Sequence, residues 1–336
     1  MKTGSGRRSA LVLVALALTG PTAVASTAHA SAPRAAGVPP QVTLTGGLND
    51  PKDPNIVVDE FLPESIKVAT GTTVTWQIAG PEPHSVTFVP PGAKVPTLDT
   101  DESLIAPTPP TGPYDGSTFV NSGVLPLGAA TTVQKFSMSF SKPGTYTYYC
   151  VVHPNMIGKL QVTDDTQDSQ QAITKAGNAQ TKKYLAEGEA AKKKLVKATP
   201  KKTKNSDGST TYSVEMGIST AHTDVLAFSP TPRTVKSGDH VTFVNNSGAP
   251  HTASFGGALV PPIPTAPNVV NPVPGPSPQT LAQATYLNTG WLPPKSKRGP
   301  PQSARSYTYD VPAPGKYTYA CALHLGSGMA GEIDAK

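Results

Sequence analysis

Two short stretches of this 336-residue chain carry residue types at spacings that suit metal chemistry. The first runs Tyr146-Thr147-Tyr148-Tyr149-Cys150-Val151-Val152-His153-Pro154-Asn155-Met156. The second runs Tyr317-Thr318-Tyr319-Ala320-Cys321-Ala322-Leu323-His324, with Met329 further on. Cys150 and Cys321 are the only cysteines. Each follows an alternating aromatic/Thr run that reads as a β-strand, and each is followed by His and then Met. A thiolate, an imidazole and a thioether on one loop are three of the four ligands of a blue-copper site, His₂Cys with a weak axial Met. The fourth ligand is expected to be a His from a distant loop. Pro83-His84 and Pro250-His251 stand 66 and 70 residues upstream of their cysteines.

Such a site needs a thiolate fixed at the end of a packed strand and imidazoles held rigidly, so that both oxidation states share nearly one geometry. The surrounding pattern supplies the strands. Ile66-Lys67-Val68-Ala69, the turn Thr70-Gly71-Thr72 and Val74-Thr75-Trp76-Gln77-Ile78 read as strand, turn, strand. Ser85 to Val89 is a further strand just after His84, and Phe136 to Phe140 alternates cleanly. Ser141-Lys142-Pro143-Gly144 turns into the Cys150 strand, and Lys159 to Val162 closes the unit. Residues 210–336 repeat this order. Phe61, Gly71, Val74-Thr75-Trp76, His84 and Asn121-Ser122-Gly123-Val124-Leu125-Pro126 match Phe228, Gly238, Val241-Thr242-Phe243, His251 and Asn288-Thr289-Gly290-Trp291-Leu292-Pro293 at one offset of 167. The Cys segments match at 171, which places four extra residues around Lys295–Arg305. A single offset held this far argues for an internal duplication, with each copy long enough to own a core.

The chain has 37 Pro and 30 Gly, a composition that favours loop-rich β structure. Both copies carry a Pro-rich insert between the upstream His and the Cys strand, Pro90–Pro113 and Pro261–Pro278, expected as loops against the metal end. Between the copies, Thr166 to Thr199 lacks β character. Ile173, Ala176, Tyr184, Ala191 and Leu195 form a thin apolar stripe at helical spacing, weakened by Gly177 and Gly188. The expectation is a solvated, partly helical spacer, or else an arm that docks on a domain or an acidic partner. Pro200 to Gly208 reads as a flexible tail to it.

Arg7-Arg8, the apolar run Leu11 to Leu18 and Ala28-His29-Ala30 form a secretory signal peptide over residues 1–30, with a flexible lead over 31–40. The paired arginines permit twin-arginine export, and the apolar run is too short to span a membrane. An exported chain without a membrane span is therefore expected. The formal net charge is +6. Without the signal peptide it is +3, and ten lysines between Lys175 and Lys204 against Glu187 and Glu189 account for +8, so the remainder is about −5. That distribution argues against nucleic acid as a partner. Export makes a disulfide the ordinary fate of two cysteines. Here a bridge would have to join two equivalent ligand loops.

The two Cys loops and the Gly71–Trp76 and Gly238–Phe243 segments resemble the cupredoxins. Cys150 to Lys159 looks like the amicyanin loop, and the second, with its longer His-to-Met gap, looks like that of plastocyanin. The resemblance covers most of 41–163 and 210–336 and none of the linker. It implies an all-β fold of two tandem Greek-key β-sandwich domains, joined by a partly helical charged linker at 164–209. It implies one type 1 copper in each: His84, Cys150, His153 and Met156 for the first, and His251, Cys321, His324 and Met329 for the second. It further implies that His153 or His324 projects its ring edge to the surface as an electron port. Asn often follows the first His in plastocyanins, whereas Ser85 and Thr252 stand here. In the second loop, Gly326, Ser327 and Gly328 suggest flexibility.

The function expected is exported one-electron transfer with redox partner proteins, without enzymatic activity. A copper oxidase or nitrite reductase would need further histidines and a His beside the Cys. Tyr149, Val151, Ala320 and Ala322 flank the cysteines instead. His222 and His240 read as ordinary strand or turn residues. A copper-storage or delivery protein would be rich in Met, and this chain has five. The duplicated Leu125 and Leu292 segments are expected to shape a partner-docking surface.

Overall fold

The computed structural model describes residues 39–336 apart from 79, 99–100, 126–132, 231–233, 257–278, 282–285 and 296–304. The expected signal peptide, nearly all of the lead, the Pro261–Pro278 insert and most of the four-residue insertion lie outside the described residues.

Alternation of apolar with Thr, Gln and Lys residues builds the strands, because successive side chains point to opposite faces. In the first half these are β1 (Gln41–Asp50), β2 (Asp53–Leu62), β3 (Ser65–Ala69), β4 (Thr73–Ile78), β5 (Thr87–Phe88), β6 (Val120–Asn121), β7 (Gln134–Ser139), β8 (Gly144–Tyr149) and β9 (Ile157–Thr163). In β4, Val74, Trp76 and Ile78 are buried while Thr73, Thr75 and Gln77 are only partly so. The order β2-β1-β4-β7 forms one layer and β3-β9-β8-β5-β6 the other. Trp76, Phe61, Phe88 and Tyr148 fill the space between, edge to face; Phe61 and Tyr148 have ring centroids 4.6 Å apart. Each such ring contributes roughly 1.5–3 kcal/mol on burial.

After a helix, α1 (Gln170–Val196), the second half contains β10 (Lys201–Lys204), β11 (Thr210–Ser219), β12 (Thr223–Ser229), β13 (His240–Val244), β14 (Ser254–Phe255), β15 (Gln279–Thr280), β16 (Leu287–Asn288), β17 (Ser306–Asp310), β18 (Gly315–Ala320) and β19 (Ala330–Ala335). The order β12-β11-β13-β17 follows β2-β1-β4-β7, and β16-β14-β18-β19 follows β6-β5-β8-β9. Phe228, Phe243, Phe255, Tyr309 and Tyr319 occupy its core.

The two halves are not separate bodies. Strand β2 pairs antiparallel with β12, matching Ile56 with Val225, Val57 with Asp224 and Val58 with Thr223, so one sheet runs through both halves. The 167-residue offset equates Ile56, Val57 and Val58 with Thr223, Asp224 and Val225. The pairing is therefore self-complementary, with a local two-fold axis at the Val57–Asp224 pair, as in a closed dimer interface.

The expected solvated spacer is instead packed. Ser169 caps the helix by accepting from Ala172 N–H, and Ile173, Tyr184, Ala191 and Leu195 are buried. Ala176 faces solvent, and Gly177 takes its place on the packed face. The glycines that weaken the helix by propensity mark its closest approaches. A Cβ on Gly188 would stand 2.4 Å from Ile56 Cγ2 on β2 and 2.6 Å from Thr223 Cγ2 on β12, so the helix lies across the seam. The Tyr184 ring stacks on His222 at 4.0 Å, and its hydroxyl donates to Glu64. Lys192 reaches Asp53 at 2.6 Å. Residues expected as a flexible tail form β10, which pairs with β11.

Candidate metal centres

Strand ends bring the cysteine and both histidines of each predicted donor set together. His84 sits just ahead of β5 and is held by reciprocal backbone hydrogen bonds with Leu125, both 2.7 Å. Cys150 follows β8, and Met156 precedes β9. Cys150 N–H donates to Met156 O at 3.1 Å, and Met156 N–H to His153 O at 3.0 Å, which closes the loop. The second set is built alike: His251 bonds reciprocally with Leu292, and Cys321 N–H donates to Met329 O at 2.9 Å. In each set the Cys sulfur and one nitrogen from each His lie within 4.8 Å of one another. Leu292 is buried. The Leu125 and Leu292 segments therefore anchor the first histidines, and the docking surface expected of Leu292 is not available.

The donor atoms converge closely. His84 Nδ1 and His153 Nδ1 are 3.1 Å apart, as are His251 Nδ1 and His324 Nδ1. Cys321 Sγ is 3.2 Å from His324 Nδ1 and 3.8 Å from His251 Nδ1. Cys150 Sγ is 3.7 Å from His153 Nδ1. Edges of this length suit bonds of roughly 2 Å to one shared ion. Met156 and Met329 are fully buried, and both cysteines are free thiols rather than a disulfide. Burial pushes the Cys321 thiol up to about 11 and the Cys150 thiol above its usual range. It pushes His153 down to about 4 and His251 to about 3. Neutral imidazoles with free lone pairs, beside a thiol whose proton a bound cation would displace to solvent, form a donor set that fits a soft ion such as copper.

The residues after the first histidines complete the support around sulfur. Ser85 N–H and His153 N–H point at Cys150 Sγ, each at 3.4 Å, and Thr252 N–H at Cys321 Sγ at 3.3 Å. Where plastocyanins often carry Asn, the Ser85 hydroxyl accepts from Val151 N–H at 2.9 Å and the Thr252 hydroxyl from Ala322 N–H at 2.8 Å. The departure therefore keeps a clamp between the two ligand loops. The Pro90–Pro113 insert lies where expected: Leu98 N–H donates to Val151 O at 2.9 Å beside Cys150.

One expectation is overturned. His153 and His324 do not present a ring edge at the surface; they are 3% and 2% exposed. They lie at the seam, where β2–β12 pairing turns both metal ends inward. His324 Nε2 stands 3.3 Å from Glu82 of the first half. His153 Nε2 is 3.9 Å, and His84 Nε2 4.0 Å, from Asp59 Oδ1. Glu82 also accepts from the Ser327 hydroxyl. Burial, reinforced by Asp224 and Glu82, holds the Asp59 carboxyl well above the usual carboxylate range. Burial holds Glu82 at about 8. His153 also adds to the lowering of both His251 and His324 across the seam.

Sequence reasoning did not find Asp59, Glu82 or the glycines beneath the first histidines. Gly47, at φ 72°, leaves room where a Cβ would stand 2.0 Å from His84 Nε2, and Gly217, at φ 81°, does the same for His251 at 3.0 Å. Each sits at a break in strand register, in β1 and β11 respectively. A glycine repeated inside two matching strand patterns was the available signal. Among the described residues the remaining histidines pair with carboxylates: His222 meets Glu187 at 3.0 Å and His240 meets Asp310 at 2.6 Å.

Comparison with known proteins places the first half among copper-binding proteins. The sequence model of copper binding proteins of the plastocyanin/azurin family matches residues 57–163. Plastocyanin of Scenedesmus fuscus is 31% identical over 113 residues, 34% of this chain and 90% of that protein. Plastocyanin of a Synechococcus species is 35% identical over 123 residues, 37% of this chain and 71% of that protein. The chloroplastic plastocyanin of Oryza sativa subsp. indica is 30% identical over 113 residues, and the chain spans 57% of its length. An amicyanin variant solved in the Cu(I) form is 22% identical, covers 37% of this chain and 82% of its own, and has a TM-score of 0.24. No helix among the described residues is long and apolar enough to cross a membrane. With a relative above 30% identity matched over nine-tenths of its length, the chain belongs to the plastocyanin/azurin family of copper-binding proteins.

Proposed function

We propose that this protein is an exported one-electron carrier with two blue-copper domains, 41–163 and 210–336, derived by tandem duplication. Each binds one type 1 copper, through His84, Cys150, His153 and Met156 and through His251, Cys321, His324 and Met329. The observation that carries the reading is the buried Cys-His-His cluster formed twice on equivalent elements. A bound copper would supply the Cu(I)/Cu(II) couple. Each half supplies two neutral imidazoles and one sulfur from buried side chains. Ser85 N–H and Thr252 N–H take up charge on that sulfur without moving. The paired strands keep the donors in place, so little rearrangement accompanies a change of oxidation state.

An oxidase or reductase reading requires a further copper centre. His222 and His240, the histidines left for it outside the first 38 residues, are engaged with Glu187 and Asp310. Storage or delivery is disfavoured by the full burial of both donor sets. The test is a visible and EPR titration of the purified chain with Cu(II). The expected result is an intense thiolate-to-copper band saturating at two coppers, halved in Cys150→Ser and in Cys321→Ser. No blue band, with the cysteines found bridged, would overturn the reading.

A further inference from the structure

The surface histidine through which a single-domain carrier would meet its partner is, in both halves, turned into the seam. We propose that His153 and His324 form the two ends of a built-in electron path, so that the two copper sites share an electron with each other inside one chain. This rests on the two-site reading above.

Three observations carry it. The β2–β12 pairing is self-complementary about Val57 and Asp224, which turns the same end of each half toward the other. Both loop histidines are buried, and their Nε2 atoms lie 3.9 Å from Asp59 and 3.3 Å from Glu82. Those carboxylates bridge the halves. Glu82 lies two residues from the first-half ligand His84, yet its Oε2 meets the second-half ligand His324 at 3.3 Å. Asp59 lies between His84 and His153 on one side and Asp224 of the second half on the other. Asp59 Oδ1 stands 3.9 Å from His153 Nε2 and Glu82 Oε2 3.3 Å from His324 Nε2, so a buried acid lies against each loop imidazole.

Ser327, fully buried, fastens the far side: its hydroxyl donates to Glu82, its carbonyl accepts from Asn55 at 2.6 Å, and its Oγ accepts from Asn49 at 3.1 Å. The seam is therefore fixed on both sides of the path. The step is simple in balance. With copper held by Cys150, His84 and His153 and by Cys321, His251 and His324, one electron would pass from Cu(I) in one site to Cu(II) in the other, so that one ion is oxidised as the other is reduced. No bond breaks, and the neutral imidazoles keep their protons. Glu82 is a positioning residue: its Oε2 stands 3.3 Å from His324 Nε2, against the ring edge, where negative charge would favour the more positive oxidised ion.

The experiment uses the full chain loaded with copper. In the fully oxidised form, EPR should show dipolar broadening between the two Cu(II) ions, lost in Cys150→Ser and in Cys321→Ser. After pulse reduction of a fraction of the sites, the electron should redistribute at a first-order rate independent of protein concentration. Glu82→Gln should raise the potential of the second site and leave the visible band of the first unchanged. Two blue bands with no dipolar broadening, or redistribution whose rate rises with protein concentration, would overturn the path and leave the carrier reading standing. Absence of both blue bands would overturn both.

Discussion

The two metal loops differ by two residues, and the difference decides which half holds the other. Between His153 and Met156 the first loop has only Pro154 and Asn155, and it closes on itself. Between His324 and Met329 the second turns through a short 3₁₀ helix, Leu325–Ser327, and ends on Gly328 at φ 73°. Read as sequence, Gly326-Ser327-Gly328 looks flexible. In the structure Gly326 lies against Pro81, where a Cβ would stand 2.6 Å from its Cβ, and Ser327 bonds three first-half side chains. The extra length is a latch. The acids are one-sided as well: the positions equivalent to Asp59 and Glu82 are Leu226 and Ala249. Two near-copies have thus diverged into complementary partners, one bringing the acids beside the loop histidines and the other the longer loop, while Asp224 of the second half faces Asp59.

The largest test of this comparison concerns the glycines beneath the first histidines. Gly47→Ala adds a methyl 2.0 Å from His84 Nε2 at a positive φ, whereas Gly217→Ala meets His251 Nε2 at 3.0 Å. The backbone alone costs roughly 1–2 kcal/mol, and overpacking adds roughly 1–3 kcal/mol. Gly47→Ala should therefore destabilise the chain by about 3 kcal/mol and abolish the first blue band. Gly217→Ala should cost about half as much and keep the second. Urea denaturation and copper titration measure both, and equal losses would remove the distinction between the sites.

The helix is next. Gly188→Leu forces a side chain into Ile56 of the first half and Thr223 of the second. A loss of about 2 kcal/mol is expected, with one calorimetric transition splitting into two as the halves lose their shared cover. A single undivided transition would mean that β2–β12 pairing alone couples them.

Ser327→Ala tests the latch. Removing the hydroxyl takes one second-loop partner from Glu82 Oε1 and one from Asn49 Nδ2. A buried acceptor so exposed costs about 1–2 kcal/mol. The second site's spectrum should change and the first site's should not.

How much of this was legible follows from the kind of information each feature uses. The Cys, His and Met residues stand at fixed local spacings, and the strands feeding them alternate with period two, so donors and fold class were readable. Gly177 and Gly188 were misread because helix propensity penalises glycine, while close packing against β2 and β12 requires it. The inward turn of His153 and His324 depends on β2 meeting β12 more than 160 residues away in sequence, a contact no local pattern encodes. Glu82 and Asp59 had no counterpart in the second copy, so comparison of the repeats passed over them.

The smallest effect lies under the helix, where the halves again differ: Glu60 of β2 corresponds to Ala227 of β12. Ala227 packs beside Ala191, Leu195 and Val225, an apolar patch. Glu60 is buried, and desolvation, then the nearby Glu64, raise its carboxyl from 4.5 to about 9. The unfolded chain therefore releases this proton first. Between about pH 4.5 and 9 the folded state binds more protons than the unfolded one, so stability falls as pH rises through this window and is level outside it. Local opening of the helix edge limits the loss to on the order of 1 kcal/mol. Glu60→Gln should flatten that decline, raising the melting temperature at pH 8 relative to wild type while leaving it unchanged at pH 4. Ala227→Glu should install the same slope in the second half. If Glu60→Gln left the slope intact, the helix would rest on the two halves alike, and the asymmetry would be confined to the metal loops and the seam carboxylates.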